Sequence, residues 1–164
     1  MLTLGIDPGT ATTGFGLIKE IDAKLNLIDY GTITTEPSSQ TEKRLSKLYR
    51  ELKNLINEYK PQCVAIEKLF FGVNAKSAMA VGQARGIILL SSAEMKVPVF
   101  EYTPIEVKIA VAGYGRAGKV DVQKMVKALL SLDRVPKPDD AADALAIAIC
   151  HAHSYKMKRR ELML

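Results

Sequence analysis

Two short apolar runs in this chain end in an acid, and longer segments with helical periodicity separate and follow them. Leu2-Thr3-Leu4-Gly5-Ile6-Asp7 is too short for a helix and too apolar for an exposed loop. It predicts a buried strand with Asp7 at its carboxyl end, just before the Pro8-Gly9 turn. Segments 14–19 and 25–35 follow with short connections and complete an antiparallel meander. After Pro37-Ser38-Ser39, residues Leu45, Leu48, Leu52, Leu55 and Ile56 recur at helical spacing with Lys and Glu opposite. They predict an amphipathic helix capped by Thr41 and ended near Tyr59 by Pro61. Cys63-Val64-Ala65-Ile66-Glu67 repeats the opening pattern. A helix precedes it, so it is expected parallel to the first strand and beside it, with Asp7 and Glu67 adjacent at one sheet edge.

The remaining pattern predicts a helix over 77–95, a strand over 97–102 and short helices over 104–111 and 120–130. A glycine-rich loop over 112–118 separates those two helices. A last helix is expected from about Asp139 to about Tyr155, with a mobile basic tail over 156–164. This order implies an α/β protein with a mixed five-stranded sheet and helices on both faces, in one domain spanning 1–164. A length of 164 residues suits a single core. The net charge of +5 favours an anionic partner, nucleic acid being the commonest. Apolar runs are too short to span a bilayer, and the first residues lack the basic flank and cleavage site of a signal peptide. With Cys63 and Cys150 far apart and read as buried thiols, a cytoplasmic location is expected.

An acid at a strand end either binds a cation or caps the following turn. Asp139-Asp140-Ala141-Ala142-Asp143 adds acids three and four apart at the start of the last helix. The helix dipole accounts for Asp139 and Asp140 but less well for Asp143, which is a turn further in. The flanking alanines would let this helix lie close on the sheet. Gathered at one point, Asp7, Glu67, Asp140 and Asp143 would repel one another unless cations joined them. Two Mg²⁺ or Mn²⁺ ions would turn such a cluster into a site for phosphodiester hydrolysis.

Segments 5–10 (GIDPGT), 65–86 (AIEKLFFGVNAKSAMAVGQARG) and 139–148 (DDAADALAIA) together closely resemble RuvC, the bacterial Holliday junction resolvase family. The resemblance covers almost the whole chain and implies a ribonuclease H-like fold. It implies that Asp7, Glu67, Asp140 and Asp143 are the catalytic metal ligands, Asp139 being a neighbour the pattern does not require. It also implies a homodimer that cuts two opposed strands of a four-way junction and works with the RuvA and RuvB branch-migration proteins.

Phe70 and Phe71 follow Glu67, and aromatics beside a nuclease site stack on bases or tuck into the core. The resemblance points to Phe70 as the base-contacting residue. Lys108, Arg116 and Lys119 frame the glycine-rich loop and suit phosphates; Lys108 and Lys119 match DNA-contacting positions of the family. Lys76 and Arg85 are further DNA-binding candidates, although Arg85 could instead brace the dimer or the acid cluster. Gly82 and Gly86 share a helix face that would admit a second subunit or pack on the parent sheet. His151 and His153 are expected near a helix end, interacting with its dipole.

The GIDPGT segment also resembles the phosphate loop of actin-like and Hsp70-like ATPases, the main rival from another class. Those proteins need two such domains and a second glycine-rich loop, for which this chain is too short. A non-catalytic junction binder is a third reading, disfavoured because clustered acids would repel DNA. Nucleases of this fold acting on flaps or RNA–DNA hybrids are a fourth.

Overall fold

Alternation along the strands decides which face of the sheet each side chain joins. The computed structural model describes residues 1–68 and 75–162, with side chains at all of these except 75, 76 and 156–162. Strands β1 (Leu2–Asp7), β2 (Thr12–Ile21), β3 (Lys24–Thr34), β4 (Cys63–Glu67) and β5 (Val99–Tyr102) form one sheet in the order β3-β2-β1-β4-β5. The first three pair antiparallel, whereas β4 runs parallel to β1 and β5 parallel to β4. This is the mixed five-stranded sheet expected from the pattern.

Leu4, Ile6, Leu17, Val64 and Ile66 point to one face, where helices α1 (Thr41–Tyr59) and α2 (Ala75–Glu94) cover them with Leu48, Leu52, Ile56, Ala84 and Ile88. Ile18, Ala65 and Tyr102 point to the other face. There they meet α3 (Pro104–Ala112), α4 (Lys119–Leu129) and α5 (Asp139–Leu162), which contributes the buried run Leu145–Cys150. Period-two alternation puts Asp7 in phase with Gly5, and Glu67 in phase with Ala65, so both belong to the α5 face.

The approach of α5 is set by glycines on the sheet. A Cβ on Gly14 would lie 2.0 Å from the Asp140 carbonyl oxygen, and one on Gly5 2.1 Å from that of Ala144. Gly16, paired with Gly5 across β1 and β2, would meet the Leu145 side chain at 2.7 Å. Real Cβ atoms do not tolerate such distances, so only a glycine floor lets this helix sit so near the strands.

Three local expectations are corrected. The cap of α1 is Gln40, without a side-chain hydrogen bond, and Thr41 is already helical. The last helix does not stop near Tyr155 but runs to Leu162, which makes the expected 156–164 tail largely helical. His151 therefore lies mid-helix, fully buried, with Cys63 Sγ 3.1 Å from its Nε2 and the Tyr102 hydroxyl 2.8 Å from its Nδ1. Its dipole role is replaced by a core hydrogen-bond network, and burial holds its pKa down at about 4. Both cysteines are buried thiols outside any disulfide, as expected. Among the described residues no helix is long and apolar enough to cross a membrane.

Candidate active site

The parallel register between β1 and β4 runs through Gly5–Ala65 to Ile6–Ile66. One step further the two strands end on Asp7 and Glu67, side by side and facing α5. Gly14 pairs with Asp7 on its other side and seats the first turn of α5 through the Asp140 carbonyl. The strand ends and the helix start thus converge because the sheet is shaved to glycine where they meet.

Asp7, Glu67 and Asp143 line a hollow of about 230 Å³ together with Lys108 of α3 and Lys119 of α4. Asp7 and Glu67 also line an adjoining hollow of about 350 Å³, walled by Lys68 and Arg85. Asp140 acts on the group through its field. Burial, then the charges of Asp143, Glu67 and Asp140, push the Asp7 carboxyl up to about 7, against a smaller opposing effect of Lys119. Burial and Asp143 raise Glu67 above the usual carboxylate range, while Lys108 pulls it back. Burial also raises Asp143, although Lys119 hydrogen-bonds to it.

Lys119 Nζ stands 3.1 Å from Asp143 and 3.5 Å from Asp139. Among the described residues, no three acids, histidines or cysteines already close around one point as a ligand set. The donor chemistry nonetheless fits a hard divalent cation, since every group offered is a carboxylate and the buried negative charge exceeds what Lys119 balances. Asp139 differs from the other acids. Lys137 at 2.9 Å and the Gln123 amide at 3.2 Å hold its carboxyl below its ordinary range.

Thr103 and Glu106 form a reciprocal capping box that starts α3 at Pro104 and sets Lys108 on the hollow. Lys119 is the first residue of α4, after the Gly118 cap. Arg116 is exposed in the loop between them. Arg85 turns inward to the Glu67 main chain and to Glu101. Phe70 lies outside the described residues, as do Phe71 and the side chain of Lys76. The glycine floor of Gly5, Gly14 and Gly16 was missed in the sequence. Its signal was available: glycines alternating on adjacent strands, opposite an alanine-rich helix.

A family model described as crossover junction endodeoxyribonuclease RuvC matches residues 3–151. A RuvC of Halothermothrix orenii is 52% identical over 160 residues, covering 98% of this chain and 97% of its own. A RuvC of Desulforamulus reducens is 56% identical over 152 residues, 93% of each chain. Among solved structures, Thermus thermophilus RuvC in complex with a Holliday junction substrate superposes with a TM-score of 0.92 at 36% identity, over 96% of each chain.

Proposed function

The chain belongs to the RuvC family of crossover junction endodeoxyribonucleases, and from that premise we propose that Asp7, Glu67, Asp140 and Asp143 are its catalytic cation ligands. The fold is the ribonuclease H-like one, and the enzyme resolves four-way DNA junctions by metal-dependent hydrolysis of phosphodiester bonds. The observation that carries the site assignment is the convergence of Asp7, Glu67 and Asp143 on one hollow, with the Asp7 carboxyl driven up to about 7 by burial and by the other acids.

In this reading the cofactor is Mg²⁺, with Mn²⁺ as a substitute, and two ions serve each site. Bound divalent ions activate the attacking water and stabilise the leaving oxygen of the scissile phosphate. The chain's own residues do the rest. Asp7 and Glu67 would hold the cation from the ends of the neighbouring strands β1 and β4. Asp140 and Asp143 come from a helix locked on that sheet. Lys108 and Lys119 stand at the hollow and neutralise phosphate charge, and exposed Arg116 extends the basic rim. Among the described residues, no serine, threonine, cysteine or tyrosine lines either hollow, and water is the attacking group in this reading.

Phe70 enters the proposal as a base-contacting residue on the strength of the family pattern, and Lys76 as a further phosphate contact. The proposal takes the whole chain as a single nuclease domain that acts in the cytoplasm, as a homodimer, alongside RuvA and RuvB. Support for the dimer comes from α2. Met79, Leu89 and Leu90 are exposed apolar residues there, and a Cβ on Gly86 would meet nothing within 4 Å. Such a face leaves room for the same helix of a second subunit, and a two-fold pair matches the near two-fold symmetry of a junction.

The test uses purified protein and a synthetic four-way junction, with a linear duplex as control. Paired nicks in opposed strands are expected with Mg²⁺ and none in EDTA. Cutting of the linear duplex at an equal rate, or of the junction without a divalent ion, contradicts the proposal.

A further inference from the structure

We propose that Arg85 is a positioning residue for Glu67: it fixes the end of β4 through the main chain, so that the Glu67 carboxylate meets the cation site. This rests on the site assignment above. Arg85 lies on α2, beside the buried Ala84 and Ile88, and its side chain is only 16% exposed. Its Nη1 donates to the Glu67 carbonyl oxygen at 3.0 Å, and its Nη2 donates to the Glu101 carboxylate. Glu101 sits on β5, in register with Ile66. One planar group therefore joins a helix, the last residue of β4 and the neighbouring strand.

The location matters because the register between β1 and β4 ends at Ile6–Ile66, one residue before Glu67. At that point the guanidinium takes the Glu67 carbonyl. A strand end held on one side only would let the carboxylate swing, and small errors in ligand position weaken a metal site. Glu101 balances the guanidinium's charge, so Arg85 acts on where Glu67 stands. The largely buried Arg85 contrasts with the exposed Lys119, which lines the neighbouring hollow. A lysine could not replace it, because a single ammonium on a flexible stem lacks the fork that spans two acceptors.

The experiment compares full-length wild type with Arg85→Ala, Arg85→Lys, Glu101→Gln and Asp7→Asn. Three quantities are read: the Mg²⁺ concentration giving half-maximal junction cleavage, the rise in Tm on adding Mn²⁺, and junction affinity in EDTA. Arg85→Ala is expected to need about 10–100-fold more Mg²⁺, the range for loss of a group that orients a metal ligand. Its Mn²⁺-induced rise in Tm shrinks, and its junction affinity in EDTA stays at wild type. Arg85→Lys remains impaired, and Glu101→Gln shifts both metal readouts in the same direction by a smaller factor. The proposal is overturned if junction affinity falls by the same factor as cleavage while both metal readouts stay at wild type, which would make Arg85 a phosphate contact. It is also overturned if Arg85→Ala matches wild type throughout. Should Arg85→Ala not fold, Glu101→Gln decides, and a wild-type Mg²⁺ midpoint there overturns it. Asp7→Asn separates the two levels: a wild-type Mn²⁺ response in that variant would show the cation site itself to be misplaced, and the role of Arg85 would fall with it.

Discussion

At Asp7 a buried strand end and three neighbouring acids act on one carboxyl group, and the sign of the resulting pH effect follows directly. The native carboxyl holds its proton up to about 7, whereas the unfolded chain releases it near 3.8. Without a cation, the native state therefore binds more protons across that window. The contribution of this group to stability is complete below the lower value and is lost as pH rises through the upper one. Asp7→Asn removes this dependence. In EDTA, the Tm of wild type is expected to fall between pH 5 and pH 8 by several degrees more than that of Asp7→Asn. Parallel pH profiles would show that Asp7 carries no such strain. The same variant is expected to lose cleavage and keep junction binding, because the proposed site takes its phosphate contacts from basic residues.

Among the secondary-structure elements, the decisive one is α5, and its seat is glycine. Gly14→Ala would drive a methyl group into the Asp140 carbonyl. An overpacked contact of this kind costs about 3 kcal/mol, which for a domain of this size lowers Tm by about 6–12 °C. Cleavage is expected to fall further than stability, since the displaced turn carries Asp140 and Asp143. A Gly14→Ala protein with wild-type Tm and cleavage would mean that α5 has freedom to shift. The strand alternation and the acid spacing were legible in the sequence because both are local periods. They located Asp7 and Glu67 side by side and the start of α5 near Asp139. The end of α5 was not legible. Its last turns lack the glycine or proline that marks a stop, so His151 was assigned to a helix end when it lies inside the core. The two-acceptor grip of Arg85 was also hidden, since it joins residues on three elements. Thr41 had the chemistry of a cap, yet the helix begins one residue earlier than that chemistry suggests.

The whole molecule is a sheet with one face given to α1 and α2 and the other to the acid-bearing helix. The exposed apolar face of α2 lies on the side away from α5, which leaves the acid-bearing side open to DNA. Leu90→Glu would place a charge on that face without touching the core. Light scattering after size exclusion is expected to report a monomer, with paired nicking of junctions lost. A dimer of unchanged mass would move the interface elsewhere. The proposed site requires that segments from opposite ends of the chain deliver carboxylates to one place, and this is open to direct observation. Crystals soaked in Mn²⁺ and measured for anomalous scattering give the most direct test. The expected result is a pair of peaks about 3.5–4 Å apart, in contact with Asp7 and flanked by Glu67, Asp140 and Asp143. Peaks bound elsewhere, with none at Asp7, would contradict the account.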